Sequence, residues 1–492
     1  MTNLQNHDIS LDKIDELYFR VTADSGILRE IHDHFSFYAE GYKFMQKYRM
    51  GLWDGLIRLM RLDNCKLYTG LIPDLIEFAK KRNYSIKVND PIIYDVKEQV
   101  SEYLKTIESK LAFPPRDYQI DLCEKALNIN KCIASSSVGS GKSMIIYTYS
   151  RFITEVLNGT VLIVVPTVSL VSQMIGDFIA YCKDYNIEDD CYGIQAGVSK
   201  NFGDKKYIVS TWQSLATIKF NEWFSKFDAI VIDECHLSEG RSITDIINKC
   251  NNAKFRLGTS GSIKDSKTHI LILKGLIGPI VQLTTTKQLM DRGILSNLEI
   301  HNLVLNYPDE DKLLMVSNDS YQKELKYVLF YETRNNLICN IAKQETGNTL
   351  ILFTYIEHGK LLVDKLKDSG KKIYFIDGSI NADERELIRE NIESEIGVII
   401  VASYGTTSTG INYKNLHTII FSSPYKSHVK VVQSIGRVLR LHSSKKTAKL
   451  IDICDNLSSS NTSINFLLRH SIERLKLYKK EQFVVKQINI DI

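Results

Sequence analysis

Short apolar runs recur from about Asp117 onward, each separated from the next by a stretch of helical, 3.6-residue periodicity. One series occupies residues 132–134, 161–165, 207–210 and 229–232. A second occupies residues 349–353, 372–376, 397–401 and 417–421. Runs that are apolar at every position predict strands buried on both faces, as in parallel sheets layered between helices. The break around residues 285–345 predicts two α/β domains in place of one large sheet.

The two ends of the chain read differently. Residues 1–95 are polar and aromatic-rich, and Asp54-Gly55 and Gly70 punctuate what the pattern predicts as short hairpins of a small α+β domain. Beyond residue 456, Leu467, Leu468, Ile472, Leu475 and Tyr478 share one helical face. Arg469, Arg474, Lys476, Lys479 and Lys480 fall mostly elsewhere, which predicts a helical tail with a solvated basic side. The organisation expected is therefore a small domain over 1–95, α/β domains over 96–285 and 286–455, and a helical tail over 456–492. The small domain is expected to be separable, so that its removal leaves the rest folded.

Composition changes this picture in two places. A chain of 492 residues with 62 Lys and Arg against 58 Asp and Glu carries a net charge of only +4, so any nucleic-acid surface must be a local patch. Residues 41–66 hold six Lys or Arg against two Asp, equal to the net charge of the whole chain. Lys43, Lys47, Arg49 and Arg58 there are candidates for phosphate contact, with Tyr42, Tyr48 or Trp53 stacking on bases. A minor aromatic core with solvated bases is the other reading of the same segment. The nine cysteines form no Cys-x-x-Cys pair, which excludes a zinc ribbon or a redox motif and suits free thiols in a reducing compartment. No signal core opens the chain and the apolar runs are strand-length, so a soluble cytoplasmic protein without membrane contact is expected.

The candidate chemistry begins after the run at 132–134. Ser136, Ser137, Val138, Gly139, Ser140, Gly141, Lys142 and Ser143 join that run to a helical stretch, the strand–loop–helix setting of a phosphate loop. Backbone N–H groups at the helix start would cradle phosphates, Lys142 would reach the β- and γ-phosphates of ATP, and Ser143 would bind Mg²⁺. The usual first glycine is replaced by Ser136. The apolar run at 229–232 ends in Asp233 and Glu234. Asp233 can hold Mg²⁺ through water and Glu234 can orient the water that attacks the γ-phosphate. A metal site at Cys235 and His236 is rejected, because adjacent residues point apart and no further ligand spacing supports it.

The stretch Asp233-Glu234-Cys235-His236, with the phosphate loop before it and Gln433-Ser-Ile-Gly-Arg437-Val-Leu-Arg440 after it, resembles superfamily 2 helicases over about residues 110–460. Many members carry a small residue where this chain has Ser136. The resemblance implies two tandem RecA-like motor domains, with Gln433, Arg437 and Arg440 completing catalysis from the second when the domains close. It also implies adenine recognition by Arg116 and Gln119, and strand contact by Pro166, Thr167, Thr211, Trp212 and Gln213 from the first domain. Thr259 to Ser262 match the coupling motif. Thr354, Tyr355, Ser408 and Thr409 match strand-contact positions of the second domain, with Gly410 on the nucleotide side. Asn412 departs from the acidic residue common there.

The complete layout, with the basic N-terminal segment ahead of the motor, resembles the recombination and repair helicases of T-even bacteriophages. That likeness implies a monomeric ATP-dependent DNA helicase in the host cytoplasm, acting on forked DNA, Holliday junctions, R-loops or single strands beside phage recombination proteins. The residues alone give a nucleic-acid-stimulated ATPase; an RNA-remodelling ATPase and a restriction-enzyme motor subunit share its motor motifs.

Overall fold

The computed structural model describes residues 7–136, 139–195, 197–237, 241–261, 267–316, 320–408, 413, 415–424, 431, 434–436, 438–445, 447–459 and 464–492. Two compact units emerge, one running to Ser136 and from Gly141 to Leu283, the other comprising Ser137–Ser140 and Thr284–Ile492. Among the described residues no helix is long and apolar enough to cross a membrane.

The first unit opens with β1 (Ile9–Lys13) and β2 (Tyr18–Ala23), an antiparallel pair in which Ile9, Leu11, Phe19 and Val21 point into a core while their neighbours face outward. Next, β3 (Ser36–Tyr38) pairs with β4 (Leu56–Arg58) as a separate ribbon. With β5 (Lys66–Tyr68) and β6 (Ile86–Val88), the first sheet has the order β5-β2-β1-β6. Gly55 sits in the β3–β4 connection with φ +84°, and the Tyr42 ring occupies the space a Cβ would need. Gly70 corrects the hairpin reading. It lies in the turn Thr69–Leu71, where an added Cβ would stand 1.9 Å from the Lys274 carbonyl oxygen, so its role is close packing against the α/β part of the unit.

That packing is reinforced by buried charge. The Glu16 carboxylate accepts from Lys13 Nζ at 2.7 Å, from Lys131 Nζ at 3.0 Å and from the Tyr94 hydroxyl. Lys274 pairs with Asp74 at 2.8 Å. Glu16, within the first 95 residues, is thus the counter-charge of the buried Lys131 ammonium, so the small domain and the α/β part of the unit share a buried ion pair.

Helix α1 (Asp117–Ile129) leads into β7 (Lys131–Ser136), followed by α2 (Lys142–Glu155), β8 (Val161–Val165) and α3 (Val168–Tyr181). Strands β9 (Cys191–Ile194), β10 (Tyr207–Thr211), β11 (Ala229–Ile232), β12 (Phe255–Ser260) and β13 (Ile280–Thr284) complete a seven-stranded sheet, order β13-β7-β12-β11-β8-β10-β9. Its uninterrupted apolar runs have a simple cause. Val161, Ile163 and Val165 feed the core on one face, and Leu162 and Val164 the core on the other.

The second unit repeats the plan with β14 (Asn297–Asn306), β15 (Asn348–Phe353), β16 (Ile373–Ile376), β17 (Ile399–Ser403), β18 (Leu416–Phe421), β19 (Thr447–Asn456) and β20 (Val484–Asp491). Their order is β16-β17-β15-β18-β19-β14-β20, and β14 runs parallel to both β19 and β20. The expected break at 285–345 therefore contains a ten-residue strand. The tail is helical over α4 (Phe466–Lys480), but its last segment is the edge strand β20. Arg474, read as one of the basic residues off the apolar face, is buried and grips Asp452 through Nε at 2.9 Å and Nη2 at 2.8 Å.

Candidate active site

The phosphate loop stands where β7, buried at all but one position, meets α2. Gly139 and Gly141 have φ +85° and +77°, a left-handed region open to glycine at little cost. At Gly141 a Cβ would also lie 2.4 Å from Gln119 Nε2, which donates to the Gly141 carbonyl at 3.3 Å. Gln119 Oε1 in turn accepts the Arg116 N–H at 2.9 Å, and Arg116 donates to the Tyr118 hydroxyl at 3.0 Å. The two residues expected to read adenine are thus joined to the loop through α1. The hydroxyl of Ser136 is buried without a hydrogen-bond partner among the described residues. Ser137 and Val138 lie outside the described residues.

Lys142, first residue of α2, places its ammonium 2.7 Å from Glu234 Oε1. Glu234 follows β11 with φ +50°, a conformation uncommon for a residue with a side chain and concentrated at functional sites. Asp233 Oδ1 accepts from the Thr259 hydroxyl at 2.7 Å and from the Glu234 N–H at 3.0 Å. His236 Nδ1 lies 3.2 Å from Glu234 Oε2 and 2.9 Å from Ser260 Oγ. The phosphate loop, the strand-end carboxylates and the tip of β12 form one connected polar network.

Its electrostatics follow from burial and proximity. Burial opposes the Glu234 charge, yet Lys142 and His236 hold its carboxyl down at about 2. Burial also opposes the Lys142 charge, and Glu234 with Asp233 more than offsets it, so its pKa is raised. Burial raises the carboxyl of Asp233, with Glu234 adding to the shift and Lys142 opposing it. A buried carboxylate of this kind gains from a cation, which fits Asp233 and the Ser143 hydroxyl as hard oxygen ligands for Mg²⁺. Ser143 Oγ is 2.8 Å from the Tyr181 hydroxyl.

The strand-contact candidates separate into exposed and buried. Thr167 stands at the N-terminal boundary of α3 without a side-chain capping bond and is partly accessible, with its hydroxyl 3.1 Å from Ser169 Oγ; Pro166 precedes it just past β8. Thr211 is buried, and its hydroxyl accepts the Ser214 N–H at 3.3 Å to cap the helix Trp212–Ala216. Trp212 packs partly into the core and Gln213 is exposed. Lys43, Lys47, Arg49 and Arg58 are all exposed, but Arg58 is held by Asp54. Tyr42 stacks on Tyr38 with centroids 4.5 Å apart, and Tyr48 meets Tyr42 edge-on at 4.8 Å. Trp53 donates its ring N–H to the Leu56 carbonyl at 2.9 Å.

In the second unit, Thr354 and Tyr355 are exposed just past β15; the Thr354 N–H donates to Ser423 Oγ at 3.1 Å and the Tyr355 hydroxyl to Gln322 Oε1 at 3.1 Å. The backbone at Arg440 is held by Ser296, which donates to the carbonyls of Leu439 at 2.7 Å and Arg440 at 3.3 Å. Gln433, Arg437, Thr409, Gly410, Asn412 and Ser262 lie outside the described residues, as does the side chain of Ser408.

Three parts of the chain match family models. Residues 8–89 match "DNA helicase UvsW, N-terminal", residues 112–265 match "Type III restriction enzyme, res subunit", and residues 332–442 match "Helicase conserved C-terminal domain". The ATP-dependent DNA helicase uvsW of Enterobacteria phage T4 is 35% identical over 510 residues, covering 98% of this chain and 100% of that protein. The chain belongs to the UvsW helicase family. The crystal structure of T4 UvsW matches with a TM-score of 0.52 at 32% identity, covering 98% of this chain and 99% of that one. A putative ATP-dependent RNA helicase of Acanthamoeba polyphaga mimivirus is more remote, 26% identical over 271 residues, or 51% of this chain and 47% of its own length.

Within this UvsW-family chain, sequence reasoning missed the parts of the site that depend on distant partners. The sequence offers His236 only as a metal-ligand candidate, and its place between Glu234 and Ser260 emerges from the fold. Tyr181 had no sequence signal, being 38 positions from Ser143 at the end of an amphipathic helix.

Proposed function

We propose that this chain couples ATP hydrolysis to the remodelling of branched DNA, including fork regression, Holliday-junction branch migration and R-loop unwinding, in phage recombination, repair and replication within the host cytoplasm. The observation that supports this most is the extent of the family match. It runs through the small domain as well as both motor units, so the accessory part and the motor point to the same activity.

In this reading Lys142 starts paired with Glu234 and leaves it for the β- and γ-phosphates of ATP. The departure frees Glu234 to orient the attacking water. Ser143 and Asp233 would hold Mg²⁺, which when bound neutralises charge on the phosphate oxygens. The Ser136 hydroxyl, without a partner among the described residues, and the N–H groups of the loop provide further donors to phosphate. Gln119 and Arg116 face the base, and Arg437 and Arg440 supply guanidinium charge to the γ-phosphoryl group as it departs.

The test is an ATPase assay of the full chain with single-stranded DNA, forked DNA, Holliday junctions, R-loops and RNA as stimulators. Branched DNA is expected to stimulate most. Equal or greater stimulation by RNA would overturn the DNA reading.

A further inference from the structure

Ser143 is the second residue of α2, and its hydroxyl oxygen lies 2.8 Å from the phenol oxygen of Tyr181. Tyr181 is the last residue of α3, and its ring packs edge-on against Tyr147, one turn along α2 from Ser143, with centroids 5.6 Å apart and planes at 70°. Its backbone is fixed as well. The Tyr181 carbonyl accepts the Ala112 N–H at 2.9 Å, the Lys183 N–H reaches the Lys110 carbonyl at 3.1 Å, and Leu111 bridges Cys182. The phenol is therefore delivered to Ser143 by a rigid ring on an anchored backbone, with only two side-chain torsions to order.

We propose that Tyr181 is a positioning residue for the magnesium-binding hydroxyl of Ser143. A serine hydroxyl has one proton and two lone pairs. Donating the proton to the Tyr181 oxygen fixes the rotamer, leaves the lone pairs for a hard cation and makes the oxygen a stronger donor. Outer-shell partners of metal ligands act in this way. The inference rests on the reading of Ser143 as a magnesium ligand.

The test uses the full chain and a fluorescent ATP analogue, with binding measured across a magnesium titration and again in EDTA. Tyr181→Phe removes one oxygen and keeps the ring. It should leave affinity in EDTA unchanged, raise the magnesium concentration for half-maximal effect about tenfold, and add nothing in a Ser143→Ala background. An unmoved midpoint in Tyr181→Phe, where Ser143→Ala moves it, overturns the role of Tyr181. A lowered midpoint does so too, since Tyr181 would then compete with the ion. Weaker binding in EDTA as well as in magnesium makes the phenol a general structural support and also overturns the proposal. If Ser143→Ala leaves the magnesium dependence untouched, the fault lies with the Ser143 assignment, and both readings fall.

Discussion

Lys142 and Glu234 neutralise each other at 2.7 Å, and each is needed elsewhere once a triphosphate arrives. Glu234→Gln keeps a hydrogen-bonding side chain but loses the base. It should retain nucleotide affinity while the turnover number falls about a hundredfold or more, measured by parallel binding and steady-state ATPase assays. The loop and the Asp233-Glu234 pair were legible in the sequence because each is contiguous and flanked by the strand and helix patterns that position it. The contacts of Gln119 with Gly141 and of His236 with Ser260 were not, because they depend on how α1 and β12 lie beside the loop. Thr211 shows a different limit of local reading. A hydroxyl in a strand-contact motif serves as a helix cap, and local sequence does not distinguish the two uses.

At the scale of elements, β7 joins the small domain to the phosphate loop through its first residue, Lys131, which meets Glu16 115 positions away. Glu16→Gln removes the counter-charge of a buried ammonium and should cost about 3 kcal/mol of stability in denaturant unfolding. Burial is the main cause that pushes the Lys131 ammonium down to about 8 from the ordinary 10.5. Between those values the unfolded chain keeps a proton the folded chain has shed, so this group's contribution to stability rises with pH across that window and is flat below it. The stability of the wild type minus that of Lys131→Met should therefore be constant from about pH 6 to 8 and climb from about 8 to 10.5. A flat difference across the upper window would show that Lys131 keeps its proton there. The eight apolar runs were legible as strands because both faces of each sheet are covered. The edge strand β20 was not, since most of its positions are exposed and its pattern reads as polar tail.

For the whole molecule, a local basic patch on a nearly neutral chain carries a specific expectation. Replacing Lys43, Lys47 and Arg49 together by Ala should weaken DNA binding at every sequence and reduce the steepness of its salt dependence by about two to three charges. An unchanged salt slope would leave the aromatic and basic segment a structural feature of the small domain. Arg437→Ala should keep nucleotide affinity and lower DNA-stimulated turnover by about a thousandfold, in line with guanidinium stabilisation of phosphoryl transfer. The two-motor organisation was legible from the two series of runs, whereas the attachment of the small domain was not, because it is made by Gly70, Glu16 and Asp74 meeting residues far along the chain. The measurement that bears most directly on the account is turnover of ATP by Lys142→Ala beside the wild type, each with saturating forked DNA. Stimulated hydrolysis is expected to disappear while DNA binding persists; substantial stimulated hydrolysis by the variant would contradict the role of Lys142 at the phosphates.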